Sequence, residues 1–177
     1  IQTSIKMIEI ADRSGMDAMS MGITIGWAME SYEKGVLKKE DFKCRKYPQG
    51  FEANFGNTAA AVTMAEMIRD REGIGKILSE GTKRASQTID QERGTESWKW
   101  AMNVKGMEPA GYDARGLKTF SLGSAVGTRG PCHNRSAAYD PDIQGEVDRF
   151  KVDEKRGALA KDTEEYAAVY DTLPLCK

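Results

Sequence analysis

A helical pattern fills the stretch Asp17-Ala-Met-Ser-Met-Gly-Ile-Thr-Ile-Gly-Trp-Ala-Met-Glu-Ser-Tyr-Glu-Lys34. Apolar side chains recur three or four positions apart, and Met21, Ile25 and Met29 share one face of the predicted helix. Asp17 is a favourable N-cap residue, and Gly35 suits the backbone conformation in which many helices end. The stretch therefore predicts one amphipathic helix whose beginning and end are both encoded locally.

Further helical runs lie on both sides of this stretch. In each run the apolar residues follow helical spacing, and several runs stop at glycine or proline. The runs are Thr3–Ala11, Ala59–Glu72, Ile74–Thr82, Lys83–Ile89, Leu117–Val126 and Gly157–Leu173. The segment Lys38–Gly56 is charged, aromatic and interrupted by proline, which indicates a long loop. The sequence therefore predicts a mainly α fold.

One segment departs from the helical pattern. Its apolar residues alternate with polar ones, at Trp98, Trp100, Met102 and Val104. A period of two is typical of a short, half-buried strand. We therefore expect one short strand in a chain of two helical lobes, which cover residues 1–100 and 101–177.

Composition excludes several classes of protein. The 177 residues carry 26 Lys and Arg against 27 Asp and Glu, a net charge of -1, and the basic residues are spread along the chain. This argues against nucleic acid or an anionic membrane surface as the main partner. No run of about 18 apolar residues and no signal sequence is present, so we expect no membrane span. Since the chain opens on Ile1 inside a predicted helix, we interpret it as an interior piece of a larger protein.

The cysteine count points to a reducing environment. Cys44, Cys132 and Cys176 are the three cysteines, and no two of them form a C-x-x-C pair. An odd, sparse set of this kind gives neither a disulfide framework nor a self-contained zinc site. We therefore expect a cytoplasmic protein.

A short motif occurs at both ends of the chain. It reads Asp12-Arg-Ser-Gly-Met-Asp17 in the first copy and Asp171-Thr-Leu-Pro-Leu-Cys176 in the second. Each first aspartate lies near the end of a predicted helix, where the dipole favours cations and gives a carboxylate nothing. An ionised carboxylate is acceptor-only and suits a ligand with adjacent N–H donors, such as the amino-pyrimidinone edge of a pterin. The alternative is that both aspartates merely precede turns, where this residue is common.

The stretch Gly127-Thr-Arg-Gly-Pro-Cys-His-Asn-Arg135 has the composition of a reactive loop. It holds the single histidine of the chain, beside a cysteine and between two arginines. Imidazole titrates near neutral pH, and the glycines and the proline shape the backbone that presents it. The stretch therefore indicates a site for anionic or redox chemistry, with an ordinary surface loop as the alternative.

Six motifs, taken together in order and spacing, resemble one family. They are Asp12-x-x-Gly-Met-Asp17, Phe55-Gly-Asn57, Arg71-Glu-Gly-Ile-Gly-Lys-Ile-Leu-Ser-Glu-Gly-Thr-Lys-Arg-Ala85, Val104-Lys-Gly-Met-Glu-Pro-Ala-Gly-Tyr-Asp-Ala-Arg-Gly116, Thr128-Arg-Gly-Pro-Cys-His133 and Asp171-x-x-Pro-Leu-Cys176. In these motifs the chain resembles the aldehyde ferredoxin oxidoreductases, which are tungsten enzymes with a bis-pterin cofactor and a 4Fe-4S cluster. The resemblance covers nearly all of the chain, from Asp12 to Cys176. It implies the helical part of a catalytic subunit whose N-terminal β domain is missing.

The resemblance assigns the tungstopterin contacts to the two repeated motifs. Asp12 and Asp171 match the aspartates that hold one pterin each. The same motifs place Gly15, Asp17 and Leu175 at the cofactor. Pro174 replaces the usual glycine of the second motif, so that this turn cannot use a positive φ and has one N–H donor fewer.

The resemblance also implies residues around the metal centres. Cys176 matches the last ligand of the iron–sulfur cluster, and its three companions would lie upstream of Ile1 in a C-x-x-C-x-x-x-C pattern. His133 matches the histidine close to tungsten, which donates a proton or orients the substrate. Arg135 stands where a basic residue can reach cofactor oxygens.

Three functions follow as expectations. In the first, the subunit oxidises aldehydes to carboxylic acids, with ferredoxin or an iron–sulfur subunit as electron acceptor. In the second, suggested by Cys132 and by the unusual loop at 136–148, it reduces an aromatic acyl-CoA of the benzoyl-CoA type, as some relatives of this fold do. The third is a non-catalytic helical docking module. Expected partners are the missing N-terminal part, the electron-transfer protein, the substrate and further subunits of an oligomer in an anaerobic organism.

Overall fold

The computed structural model of the chain describes residues 1–173, and the regular secondary structure of these residues is helical apart from one isolated bridge. The helices are α1 (Gln2–Ser14), α2 (Ala18–Glu33), α3 (Thr58–Asp70), α4 (Gly75–Leu78), α5 (Thr82–Arg93), α6 (Lys118–Val126), α7 (His133–Ser136), α8 (Asp140–Ile143) and α9 (Lys155–Thr172). Two 3₁₀ helices lie at Lys39–Phe42 and Ser97–Trp100. Over residues 1–173 the extended pairing consists of one isolated bridge, between Val104 and Met107. The predicted mainly α class is confirmed.

The chain divides into two compact units, Ile1–Asn103 and Val104–Lys177. In the first unit, α1 packs on α3 and α2, while α5 packs on α2 and α4. Its core is formed by buried side chains that include Trp27, Phe42, Met64, Leu78 and Ile89. Phe42 lies in the predicted long loop, and its ring meets that of Phe51 at 5.3 Å, so this loop contributes to the core.

Helix ends in the first unit follow local signals. The Ser20 amide donates to Asp17 Oδ1 (2.7 Å), and the Ala60 amide donates to Asn57 Oδ1 (3.1 Å). Asp17 is the N-cap that the sequence predicts, and asparagine is equally favoured at this position. The third helix differs at its other end, because it stops at Asp70 with Arg71 in the left-handed region (φ 52°) instead of continuing to Glu72.

The predicted strand Trp98–Val104 is wrong. Ser97–Trp100 forms a 3₁₀ helix, because Asp90 accepts hydrogen bonds from the amides of Ser97 (2.6 Å) and Trp98 (2.9 Å). The carbonyl of Ser97 in turn accepts a hydrogen bond from Trp27 Nε1 (3.1 Å). These tertiary contacts outweigh an alternating pattern, which is a weak predictor of strand without a partner strand.

The second unit is centred on α6 and α9, which pack against each other, with α7 on α9 and α8 on α6. Small residues allow the close approach. A Cβ atom at Gly123 would lie 2.8 Å from Cβ of Ala138, so a larger residue in α6 would push the following segment away. Ala160 and Ala167 supply the buried face of α9.

A buried ion pair joins three helices of the second unit. The side chains of Asp142 and Arg156 are 0% and 4% exposed and contact each other directly. Asp142 Oδ2 also accepts from the amides of Thr119 (2.8 Å) and Phe120 (3.1 Å), which belong to the first turn of α6. One carboxylate thus caps α6, lies in α8 and pairs with α9. The sequence analysis missed this pair.

The described helices include no candidate membrane span. None of those within residues 1–173 combines the length and the apolar character that crossing a bilayer requires.

We predict that Asp90→Asn destabilises the first unit by about 1–3 kcal/mol at neutral pH, because three donors then face an amide. Burial raises the pKa of the Asp90 carboxyl, but hydrogen bonds from Thr95, Ser97 and Trp98 outweigh it and hold the pKa below its usual value. The carboxylate therefore stabilises the fold above its unfolded pKa of about 4, and this contribution is lost as the pH falls through the lower folded pKa.

Denaturant unfolding of the complete subunit at several pH values measures this effect. As the pH is lowered below about 4, the free energy of unfolding should fall less for Asp90→Asn than for wild type. Glu92→Gln, at an exposed position of the same helix, serves as the control and should follow wild type. Identical acid dependence in wild type and Asp90→Asn would contradict the assignment.

We predict that Arg156→Met destabilises the second unit by about 3–5 kcal/mol, because it leaves the Asp142 carboxylate buried and unpaired. Hydrogen exchange across α6 and α9 in the complete subunit reports the loss. The control is Arg149→Met, at an exposed arginine that lies over the Phe150 ring, and it should change stability by less than about 1 kcal/mol. Equal effects of the two substitutions would show that the buried pair does not hold α6.

Candidate functional site

The first repeated motif forms the corner between α1 and α2. Gly15 adopts φ 65°, its amide donates to the Asp12 carbonyl (3.3 Å), and the Met16 amide donates to the Ala11 carbonyl (2.9 Å). This pair of hydrogen bonds is a Schellman motif. Asp17 then begins the next helix as its N-cap. The backbone of Gly15 and the side chain of Asp17 thus have structural roles that their sequence pattern explains.

The Asp12 carboxylate has no such structural role. It is exposed in the last turn of α1, and among residues 1–173 no side chain or amide donates to it. The dipole at this end of a helix does not favour an anion. An acceptor-only group held there without a partner fits a ligand that offers adjacent N–H donors, so that the residues present are compatible with a pterin.

An open pocket of about 190 Å³ lies beside this corner. Asp17, Ser20 and Gly81 contribute polar and backbone surface to it, and Met21, Ile68 and Leu78 contribute apolar surface. Asp17 lines this pocket and is an N-cap, and its contact with a cofactor stays a prediction.

The second repeated motif begins at the end of α9. Asp171 lies in the last turn of this helix, and its Oδ2 accepts a hydrogen bond from Nη1 of Arg135 (3.1 Å). Both side chains are about half exposed, 48% for Asp171 and 42% for Arg135. Pro174, Leu175 and Cys176 lie outside the described residues, so that the cofactor contact of Leu175 and the iron ligand Cys176 stay predictions.

The histidine loop is shaped by its glycines. Gly130 has φ 85°, and a Cβ atom there would lie 2.7 Å from the Val104 carbonyl oxygen. Lys105 Nζ donates to the Gly127 carbonyl (2.7 Å) and anchors the start of the loop. The chain then turns into α7, which begins at His133. A fixed loop therefore sets the position of the imidazole.

The His133 ring lies among aromatic side chains. Its centroid is 6.4 Å from that of Tyr139 and 6.5 Å from that of Tyr112, and the two tyrosine rings stack at 4.9 Å. Phe120, fully buried, packs edge-on against Tyr112 at 5.8 Å. His133 Nδ1 is buried and has no hydrogen-bond partner in the described chain. Ring packing, rather than a carboxylate, thus orients this imidazole.

The two tyrosines were not predicted from the sequence as part of the site. Tyr112 belongs to one of the quoted motifs, but no spacing rule relates it to a histidine 21 positions later; the stacking needs tertiary structure. Burial, with smaller effects from Asp140 and Tyr112, raises the pKa of the Tyr139 phenol, which keeps this ring neutral.

A buried carboxylate oxygen was also missed. Glu164 Oε1 lies in α9 without a hydrogen-bond partner in the described chain, and a Cβ atom at Gly127 would be 3.5 Å from it. Any larger residue at Gly127 would meet this oxygen and the neighbouring backbone, so that the start of the histidine loop is sterically confined.

The structure brings three of the predicted site residues together. His133 and Arg135 share α7, and Arg135 binds Asp171 of α9, all in the second unit. Asp12, Gly15 and Asp17 lie together in the first unit. Over residues 1–173 no group of three His, Cys, Asp or Glu side chains is arranged to hold a metal ion.

Comparison with known proteins gives one consistent family. The family model described as "Aldehyde ferredoxin oxidoreductase, domains 2 & 3" matches residues 1–177. The tungsten-containing aldehyde ferredoxin oxidoreductase of Pyrococcus abyssi is 34% identical over 169 residues, which are 94% of this chain and 26% of the relative. The enzyme of the same name from Thermococcus kodakarensis is 29% identical over 168 residues, 93% of this chain and 26% of that protein.

A third relative has another substrate in its name. The aliphatic sulfonate oxidoreductase, WOR-like subunit, of Pyrococcus furiosus is 35% identical over 131 residues, or 73% of this chain and 20% of the relative. The chain thus spans about a quarter of the length of the curated relatives that it matches along most of its own length. With the family model matching from the first residue to the last, the chain belongs to the aldehyde ferredoxin oxidoreductase family.

Proposed function

We propose that this chain is the helical part of the catalytic subunit of a tungsten–pterin, iron–sulfur oxidoreductase that oxidises aldehydes to carboxylic acids. Ferredoxin, or an iron–sulfur subunit, accepts the electrons, and the remaining N-terminal part of the subunit completes the site. The proposal is supported by relatives whose names specify tungsten and aldehyde. The observation that carries it is His133, a half-buried imidazole on a fixed loop with an unpartnered ring nitrogen.

Asp12 and Asp171 are the cofactor-holding residues in this proposal. Each presents carboxylate oxygens at the end of a helix, and each accepts hydrogen bonds from the N–H groups of one pterin. When bound, the tungsten–pterin group supplies a two-electron redox centre, and the iron–sulfur cluster supplies one-electron transfer. The residues of this chain therefore bind and orient the cofactor, as the protein around a cofactor generally does.

His133 is the proton-transfer group in this proposal. The rings of Tyr112 and Tyr139 hold the imidazole and exclude water from one side of it. Because Nδ1 is buried, Nε2 is the nitrogen that meets the substrate. It donates a hydrogen bond to the carbonyl oxygen of the aldehyde or moves the proton that the reaction releases, the role in which histidine serves most often in enzymes.

Cellular placement also belongs to the proposal. Cys44 and Cys132 are free thiols, which fits the reducing cytoplasm. Cys132 directly precedes α7.

We predict that His133→Ala lowers turnover by roughly 10²–10⁴-fold through loss of general acid–base help. Tungsten and pterin content should stay near wild type, because the cofactor is held by other residues. His133→Asn separates two roles, since the amide can orient a carbonyl oxygen but cannot exchange a proton. If proton transfer is the role, His133→Asn should be as slow as His133→Ala.

The assay uses the complete, cofactor-loaded subunit with a viologen acceptor, and compares an aldehyde, an aliphatic sulfonate and an aromatic acyl-CoA. Turnover of the aldehyde alone supports the proposal, whereas turnover of the acyl-CoA alone would replace it. Wild-type aldehyde turnover by His133→Ala, with tungsten fully loaded, would remove His133 from the mechanism. Absence of tungsten and pterin from the intact protein would indicate a docking module instead.

We predict that Asp12→Asn lowers pterin content, because the amide presents a donor to the donor edge of the ligand. Asp17→Asn is the matched control in the same motif, since asparagine caps a helix about as well as aspartate and preserves the fold. Pterin released from the denatured subunit is measured by its fluorescence after oxidation. Full pterin content in Asp12→Asn would contradict the role of Asp12, and a loss in Asp17→Asn as well would show that both carboxylates contact the cofactor.

A further inference from the structure

The two aspartates of the repeated motif are equivalent in sequence and different in structure. Asp12 receives no hydrogen bond from any residue between 1 and 173, whereas Asp171 Oδ2 accepts from Nη1 of Arg135 at 3.1 Å. Each aspartate lies in the last turn of its helix. The difference therefore arises from the arginine and not from the helix end.

The contact between Arg135 and Asp171 uses one nitrogen and one oxygen. It leaves Asp171 Oδ1, and one lone pair of Oδ2, free to accept hydrogen bonds from a ligand. A two-pronged arginine contact would use one lone pair on each oxygen, whereas the single contact orients the carboxylate and leaves Oδ1 entirely free.

The same contact joins the two functional helices of the second unit. α7 is one turn long and carries both His133 and Arg135, and a helix of this length has little stability of its own. α9 carries Asp171. With both side chains 42–48% exposed, the pair contributes little to stability, so that its consequence is orientation.

We infer that Arg135 is a positioning residue, which orients the Asp171 carboxylate towards its pterin and acts through Asp171 rather than by its own contact with the cofactor. This inference rests on the proposed function, because it takes Asp171 to hold a pterin. It makes the two pterin sites unequal: the first aspartate is held by its helix alone, and the second by its helix and an arginine of the histidine loop. The sequence expectation that Arg135 reaches cofactor oxygens directly is the competing outcome of the test.

The test measures the rate at which pterin leaves the loaded, complete subunit at one fixed, moderately raised temperature. Arg135→Gln should release pterin roughly two- to fivefold faster than wild type, the effect of losing a half-exposed ion pair. Arg135→Lys should recover part of the loss, since an ammonium can pair with the same oxygen as a point charge. Lys161→Gln breaks the exposed Lys161–Glu165 pair (3.0 Å) of the same helix and should release pterin at the wild-type rate.

Double variants identify the residue through which Arg135 acts. If it acts through Asp171, Arg135→Gln adds nothing in an Asp171→Asn background, because the group that it orients is already gone. In an Asp12→Asn background the two fold-changes should multiply, since Asp12 holds the other pterin in the proposed function. Multiplication in both backgrounds would overturn the inference and show that Arg135 contacts the cofactor itself.

Failure of the inference and failure of the proposed function give different results. If Asp171→Asn releases pterin quickly while Arg135→Gln behaves like Lys161→Gln, the inference is wrong and the proposed role of Asp171 stands. If Asp171→Asn releases pterin at the wild-type rate, the proposed role of Asp171 is wrong, and the inference is wrong with it.

Discussion

The second unit depends on one buried carboxylate. Asp142 accepts from the first amides of α6, pairs with Arg156 of α9 and itself lies in α8. An N-cap normally comes from the residue before its helix, but Leu117 precedes α6 and has no side-chain acceptor. Asp142, which lies 23 positions after Thr119, supplies it. Because the pair is buried, each member requires the other, and α6, α8 and α9 are held in one arrangement.

That arrangement positions the candidate site. α6 leads into Gly127 and the histidine loop, and α9 carries Asp171 in its last turn. The histidine loop has its own constraint at Gly130, where only glycine fits both the positive φ and the close carbonyl of Val104. The second unit therefore combines a buried ion pair with a close backbone approach at Gly130, and neither is part of the chemistry.

Sequence reasoning succeeded where the signal is local. Asp17 begins α2 as the sequence predicts, and the helical run before it stops at a glycine, Gly15. It failed where a distant group decides. The alternation after Trp98 predicted a strand. The prediction is wrong because the Asp90 carboxylate and the Trp27 indole, which hold Ser97, lie outside the seven residues on which it was based. The stacking of Tyr112 and Tyr139 was not predicted for the same reason, since the two residues are far apart in the sequence.

The repeated motif shows how a fold requirement and a ligand requirement share a few residues. In the first copy, Gly15 and Asp17 are needed for the corner whether or not anything binds, and the Asp12 carboxylate is the position without a structural task. Motif matching cannot separate these roles, since it weights all of the positions alike. Unmet hydrogen-bonding capacity does separate them, because a group that folding leaves without partners is available to a ligand.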